Sequence, residues 1–436
     1  MEQPASSSQS RPDDNRFGSL LRRLRGAAGL TQEELAAAAD LGVRTLRDLE
    51  LGVSVRPQRR TVERLAIALR VTPAEREALI ERARTARIVG SGTDRGATGD
   101  GAAPGHSLPR DPAGFVGRAE ELGMLLDGGP HGGVTVVGGP PGAGKTTVVI
   151  HAAHLLTAEH ATVVYAELAD ADGTATAPQD VLGHLLTALG VESGRIPATH
   201  GGRLAAYQRL ASGRRGVLVL DNPQSEQQVR PLLPAGTGWR VLVAARRRLA
   251  GLPATHRIVL DALPEDEALR LLATAVGADR TAREPAAAAE LVELCGRLPL
   301  ALRVVANRLS SRPAWTLQSL AERLRDPRRR LDRLSVGDLE VRGAIAASYR
   351  QLPPAARSAV RRMALLPEPS CDDATLHALA GPGAGPAATG ALHDSGLLLP
   401  ADAPGRHRLH PLIALYCAEQ ATEDDTTAVE GFTGPP

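Results

Sequence analysis

Lysine is almost missing from this chain. Of 51 basic residues among 436, every one but Lys145 is arginine. A guanine-reading Asn-Lys-x-Asp motif is therefore excluded, because the single lysine stands between Gly144 and Thr146. Aromatic residues are scarce at 2%, so Leu, Val and Ala must fill a core drawn from a 43% apolar composition. The three cysteines, Cys295, Cys371 and Cys417, are too far apart for a metal-ligand spacing or a disulfide framework. Buried thiols in a reducing compartment are the expectation. No apolar run reaches 18 residues and the first residues lack a signal pattern, so neither a membrane span nor export is expected. The net charge of +2 rules out a polycation, and any nucleic-acid footprint must be local. No repeat of 20–50 residues is present, which excludes a solenoid. The reading is a soluble cytoplasmic protein of several domains.

What is present falls into blocks. Residues 1–14 are rich in Ser, Gln and Pro and are expected to be a disordered tail. Residues 15–87 are dense in helical periodicity. Residues 88–113 run through Gly, Ser, Thr, Asp, Ala and Pro and read as a flexible linker. From residue 114 to 278, apolar β-branched runs alternate with amphipathic segments, the pattern of an α/β domain. Beyond about Pro285 the chain reads mostly helical, and 422–436 is expected to be a second disordered tail.

The N-terminal block has the marks of a five-helix unit. Phe17, Leu20, Leu21 and Leu24 share one helical face. Thr31 followed by Glu34 predicts a capping box, and Thr72 to Glu75 caps a fifth helix. A turn at Asp40-Leu41-Gly42 leads into a third helix with Leu46 and Leu49 inward. This arrangement resembles the Cro and phage-repressor (XRE) type of helix-turn-helix, although that family often has a small residue where Asp40 stands and Ser or Thr where Gly42 stands. The resemblance implies that the third helix lies in the major groove of double-stranded DNA, with Arg44, Thr45 and Arg47 at bases or phosphates. Arg56, Arg59 and Arg60 would add phosphate contacts. Residues 14–88 carry 15 arginines against 10 acidic residues, a local excess of the right sign. The alternative is a helical bundle that recruits a protein partner.

The lone lysine explains itself. Gly139-Pro-Pro-Gly-Ala-Gly-Lys-Thr146 is a complete G-x-x-x-x-G-K-[ST] phosphate loop, between the apolar run Val134–Val137 and a helical stretch from Lys145 to Leu156. Such a loop needs a compact charge on a flexible stem, which a planar guanidinium replaces poorly. Gly139, Gly142 and Gly144 let backbone N–H groups curl around phosphates, and the helix N-terminus adds positive potential. Lys145 then bridges the β and γ phosphates, the Thr146 hydroxyl ligates Mg2+, and Thr147 stands by the α phosphate. The strand Gly216–Leu220 ends in Asp221, placed in the magnesium shell. Asn222 follows, where a hydrolytic site often has a second carboxylate. An amide is no general base, so hydrolysis should be slow and suit a switch. The strand from Trp239 ends at Arg246, either a γ-phosphate sensor or a surface residue beside Arg247 and Arg248. His151 and His154, one helical turn apart, read as a half-exposed face rather than a metal site. Arg328–Arg330 reads as a solvated run.

Three further motifs complete a pattern: Phe115-Val-Gly-Arg-Ala-Glu120, Cys295-Gly-Arg-Leu-Pro-Leu-Ala-Leu302 and Arg408-Leu-His-Pro-Leu-Ile-Ala-Leu-Tyr416. In this order, with both phosphate-site motifs, the chain over about 112–421 resembles the NB-ARC class of STAND signalling ATPases. It is especially similar to actinobacterial regulators of the antibiotic-regulatory type. The resemblance implies a P-loop α/β parallel-sheet NTPase, a helical subdomain over 279–340 and a winged-helix domain over 341–421 that closes over ADP. It places Arg118 near the nucleotide, Pro299 by the adenine and His410 on the β phosphate of ADP. The family usually has Asp where this chain has Pro411. The expected protein is a DNA-binding regulator, switched by ATP and ADP, self-associating in the ATP state and possessed of only slow ATPase activity. A C-terminal repeat sensor, common in the class, is not recognisable, so an upstream protein partner or the nucleotide balance would supply the signal. A signalling ATPase that recruits protein through its N-terminal bundle is the competing reading.

Overall fold

The computed structural model describes residues 17–39, 41–51, 59–69, 71–89, 106–127, 132–160, 162–169, 173–236, 238–401 and 403–433. The chain divides into two units, Met1–Gly101 and Ala102–Pro436.

The first unit contains α1 (Phe17–Ala27), α2 (Gln32–Ala38), α3 (Val43–Leu51), α4 (Arg59–Ala68) and α5 (Pro73–Val89). The predicted inward residues Phe17, Leu20, Leu21, Leu24, Leu46 and Leu49 are all buried, and Leu35 and Leu65 join them in the core. The capping box at the start of α2 forms in both directions. The Thr31 N–H donates to Glu34 at 2.8 Å and the Glu34 N–H to the Thr31 hydroxyl at 3.1 Å. Gly18 is needed for contact rather than for a turn, since a Cβ there would stand 2.6 Å from the Leu49 carbonyl of α3. Glu50, buried at the end of α3, accepts from Arg25 Nε at 2.5 Å and from Gln32 Nε2 at 2.8 Å. One carboxylate thus ties α1 and α2 to α3, and these pairs hold its pKa down against the upward push of burial. Thr45 and Arg47 project into solvent from α3. Arg44, Arg59 and Arg60 lie on α3 and α4, but their side chains, like all of Arg56, fall outside the described residues.

The second unit opens with a parallel sheet. Its strands are β1 (His106–Ser107), β2 (Gly133–Gly138), β3 (Val163–Glu167), β4 (Gly216–Asp221), β5 (Trp239–Ala244) and β6 (His256–Val259). They lie in the order β1-β3-β4-β5-β2-β6, every pair parallel. The strands read as near-continuous apolar runs because helices cover both faces, and β4 is buried from end to end. With β2 between β5 and β6, the loop after β2 opens into the crevice at the carboxyl ends of the strands, where open α/β sheets bind ligands.

Helices dominate from Glu265 onward, earlier than residue 279, because Leu271 and Leu272 pack into the same cluster as Leu291 and Leu302. That cluster runs unbroken from Leu263 to Val429. Its C-terminal portion carries six helices from Val341 to Thr433 and a small antiparallel sheet in which Arg406–Leu409 lies between Leu398–Pro400 and Ser370–Asp372. All three cysteines are free and buried. No helix among the described residues is long and apolar enough to cross a membrane.

Two expectations of disorder need correction. The linker expected at 88–113 is shorter: α5 reaches Val89, and His106–Ser107 joins the sheet edge beside Val163–Val164. Residues after it are fixed by the two histidines. His151 Nδ1 meets Asp111 at 2.9 Å, His154 Nε2 donates to the Pro109 carbonyl at 2.8 Å, and Phe115 stacks on His151. Residues 90–105 and the predicted tail at 1–14 lie outside the described residues. The second tail is a helix over Glu423–Thr433, anchored by a polar group that hydropathy cannot reveal. Asp425 is 1% exposed, accepts from Arg361 Nε at 2.6 Å and Arg362 Nε at 3.1 Å, and has its pKa driven far below the usual carboxylate range. Asp425→Ala should lower unfolding free energy by about 2 kcal/mol, the scale of a lost charged hydrogen bond. Urea titration checks this, and an unchanged midpoint would show the helix to be decoration.

Candidate nucleotide-binding site

The site grows from the end of β2. Gly139 takes a φ of +137°, and a Cβ there would come 2.5 Å from the Leu260 carbonyl, so only glycine fits between loop and neighbouring strand end. Gly144, in the left-handed region with φ +89°, precedes the helix Lys145–Leu156 and gives it no side-chain cap. The first backbone N–H groups of that helix are left for a ligand, which is how helix N-termini bind anions. Lys145 Nζ folds back onto its own loop, donating to the Gly139 and Pro140 carbonyls at 2.9 Å each. Burial, with the charge of Arg246 adding to it, pushes the lysine pKa down to about 7. The loop thus holds its cation at a cost.

The acid side of the site is assembled by two strands and the helix after the loop. Asp221, 6% exposed at the end of β4, accepts from the Thr146 hydroxyl at 2.9 Å and from the Tyr165 hydroxyl of β3 at 2.9 Å. Burial raises its pKa, opposed by these bonds and by the charges of Lys145 and Arg246. Thr146 and Asp221 present adjoining oxygens, a donor set that fits Mg2+, which usually takes one or two carboxylates and completes its shell with phosphates and water. No group of three His, Cys, Asp or Glu side chains suited to a metal occurs among the described residues. Arg246, half-buried at the end of β5, acts electrostatically on both Lys145 and Asp221, whereas Arg247 and Arg248 are exposed. Asn222 sits at φ +55° and turns its amide to the Ala169 carbonyl at 3.1 Å.

The far parts of the chain close on the same loop. Pro299 opens the helix Pro299–Ser311 beside Gly144, and the Leu300 N–H donates to the Gly142 carbonyl at 3.2 Å. Gly396, φ +69°, lies against the phosphate loop so closely that a Cβ would stand 2.6 Å from the Gly139 carbonyl. Arg408 pairs with Asp261 at 2.5 Å, and the Arg248 N–H donates to the Asp394 carbonyl at 3.2 Å.

The N-terminal unit matches a helix-turn-helix domain over residues 16–79, and the phosphate-loop region an AAA domain over 130–231. The chain joins a helix-turn-helix domain to an AAA domain. It is related to the regulatory protein AfsR of Streptomyces griseus, 39% identical over 330 residues that make up 74% of this chain and 34% of that protein. Against the regulatory protein AfsR of Streptomyces coelicolor it is 36% identical over 438 aligned positions, 96% of this chain and 42% of the relative. The chain thus spans under half the length of these regulators. Among solved structures, the Walker-type ATPase PABY2304 of Pyrococcus abyssi shares the fold, with a TM-score of 0.50 at 14% identity over 70% of this chain and 96% of that one.

Two residues assigned to nucleotide by resemblance are engaged within the chain itself. Arg118 is buried in a left-handed conformation, with Nη1 on Glu121 at 2.8 Å and Nη2 on the Asp261 carbonyl at 2.5 Å; only its Nε is buried without a partner. His410 caps the helix Pro411–Glu419. Its Nδ1 accepts from the Leu412 N–H at 3.2 Å, so the proton must be on Nε2, which donates to the Gly296 carbonyl at 2.7 Å. Burial holds this neutral form and lowers the pKa to about 4. Both ring nitrogens are therefore used inside the protein, and a phosphate contact would require one of these bonds to break. The sequence reading missed Tyr165, Asp261 and Gly396. Tyr165 stands inside the near-continuous apolar run of β3, where no local pattern marks its hydroxyl; the other two act through neighbours more than 100 residues away.

Proposed function

We propose that the chain is a nucleotide-switched, DNA-binding transcriptional regulator of secondary metabolism, acting in the cytoplasm. The observation that carries this reading is the contact of Gly396 with the Gly139 carbonyl. It links the phosphate loop to the C-terminal module directly, so what occupies the loop bears on how that module sits. The module, read as a winged helix over 341–421, is held to the end of the α/β domain by the Arg408–Asp261 pair. ADP suits this closed form. Exchange for ATP would favour release and self-association, which multiplies helix-turn-helix units on one DNA through effective concentration. A ligand must discriminate the two states by several kcal/mol to work as a switch.

The residue roles follow the geometry. Lys145 and the N–H groups of the loop would hold phosphates, Thr146 and Asp221 would hold Mg2+, and Arg246 would sense the γ phosphate. Thr147 stays by the α phosphate, and Pro299 and the free Arg118 Nε support a place for the base. Magnesium supplies charge neutralisation between phosphates when bound. Asn222, committed to Ala169, supports slow hydrolysis.

The test is enrichment of genomic fragments on the full chain, once with ADP and once with a non-hydrolysable ATP analogue. Specific fragments whose yield differs between nucleotides support the switch. Specific fragments with equal yields remove the switch and leave a DNA binder. None in either state would favour the protein-recruiting alternative. On a recovered site, Arg47→Ala should cost about 1–3 kcal/mol if the arginine reads a base. Equal affinity for wild type and variant would remove that role.

A further inference from the structure

We infer that the helical segment 299–333 carries a second, sequence-independent grip on the phosphate backbone of duplex DNA, centred on Trp315. The segment holds nine arginines against three acidic residues, a larger excess in 35 residues than the helix-turn-helix unit has in 75. Two of these guanidiniums lie over the Trp315 ring, Arg312 at 4.6 Å and Arg323 at 4.3 Å from its centre. Stacking on an aromatic face fixes the plane of a guanidinium and leaves its N–H edge for a bidentate acceptor, a geometry that phosphate matches.

The cluster is built on backbone carbonyls rather than on counter-ions. Arg280 donates to the Leu309 carbonyl at 3.0 Å and to the carbonyl of Trp315 itself. Arg308 donates twice to the Ser335 carbonyl, at 3.0 and 2.7 Å, and Arg333 to the Arg323 carbonyl. Among the described residues none of Arg280, Arg308, Arg312, Arg323 and Arg333 forms an ion pair. Close by, Arg325 does so with Glu290, and Arg342 with Asp332 and Glu419. Carboxylates are thus available in this part of the fold but not spent on the cluster. Burial first, then the charges of Arg312, Arg333 and Arg323, depress the pKa of Arg308. An incoming polyanion would relieve that repulsion.

Duplex DNA fits better than a protein surface. Protein interfaces are centred on apolar contact, and among the described residues the large exposed apolar side chains, Ile67, Met124, Leu155 and Val259, lie outside this segment. DNA offers a dense line of phosphates, about one charge per 1.7 Å of axis. A second grip on the polypeptide that bears the helix-turn-helix domain binds intramolecularly once the first is engaged. This inference rests on DNA being the target of the chain.

The experiment titrates the full chain with a fluorescein-labelled duplex of about 30 base pairs and scrambled sequence, across a salt series. In Arg312→Ala/Arg323→Ala, the slope of log affinity against log salt should fall by about 2, since each phosphate contact contributes about 0.9. Affinity at moderate salt should fall at least tenfold, with nucleotide affinity unchanged. Lysines at both positions, which keep the charge, should restore most of the slope. If the double variant melts early, Arg312→Gln alone, at an exposed position, should show about half the change. A wild-type slope in these variants, while Arg47→Ala still weakens binding, overturns the second grip and spares the first. No duplex binding by the wild-type chain at low salt overturns both.

Discussion

Lys145→Ala should bind ADP and ATP at least tenfold more weakly than the wild type, and up to about two hundredfold, with the fold intact. A hydrogen bond to a charged group contributes about 1.5–3 kcal/mol, and the phosphate contact is of that kind. The fold survives because the lysine is a burden in the empty loop. It is half-buried, its pKa has fallen to about 7, and its hydrogen bonds go to the Gly139 and Pro140 carbonyls. A bound phosphate would supply the counter-charge that the loop lacks. Lys145→Arg should not rescue binding, because a planar guanidinium cannot follow the path of the flexible ammonium. Titration with a fluorescent ADP analogue, paired with thermal melting, reads both halves. Wild-type affinity in the alanine variant would remove the lysine from the site. Early melting would show that it props the loop instead.

Acid should destabilise the C-terminal module through His410. In the unfolded chain this histidine takes a proton as pH falls through 6.5, but the folded protein resists protonation until about pH 4. The unfolded state therefore binds more protons across that window, and stability falls as pH falls through it. At 1.36 kcal/mol per pKa unit, the full loss is about 3 kcal/mol, all of it restored above pH 6.5. Its source is structural: protonating Nδ1 abolishes the cap on the Leu412 N–H and puts a charge in a site 1% exposed. His410→Asn keeps a capping group and has nothing to titrate. The stability gap between wild type and this variant should narrow by about 3 kcal/mol from pH 7 to pH 4 in urea titrations. Carboxylates shared by both proteins cancel in the difference. A gap independent of pH would mean that the ring is not held neutral.

The parts legible in the sequence were those whose partners are near in sequence or fixed by a motif. The capping boxes at Thr31 and Thr72, the core face of α1 and the glycine loop with Lys145 are local patterns, and each stands where local chemistry puts it. Asp221 could be read because an apolar strand must end near the loop it serves. The sheet edge at His106–Ser107 could not, since two residues carry no periodicity and only the open edge of β3 gives them a role. The helix Glu423–Thr433 escaped for another reason: it is anchored by a carboxylate and two arginines more than 60 residues away, not by an apolar stripe. Arg118 and His410 show the converse. Their motifs were visible, but which atoms they hold depends on Asp261 and Gly296, which no spacing rule connects to them.

The lone lysine has a practical side. A protein with one side-chain amine, held near neutrality in its nucleotide loop, has one internal target for acylating reagents. An adenosine phosphate that carries an amine-selective acylating group would find in Lys145 its one side-chain amine. Occupancy of the loop could then be followed as a single mass increment on the unmutated chain, including in a crude extract.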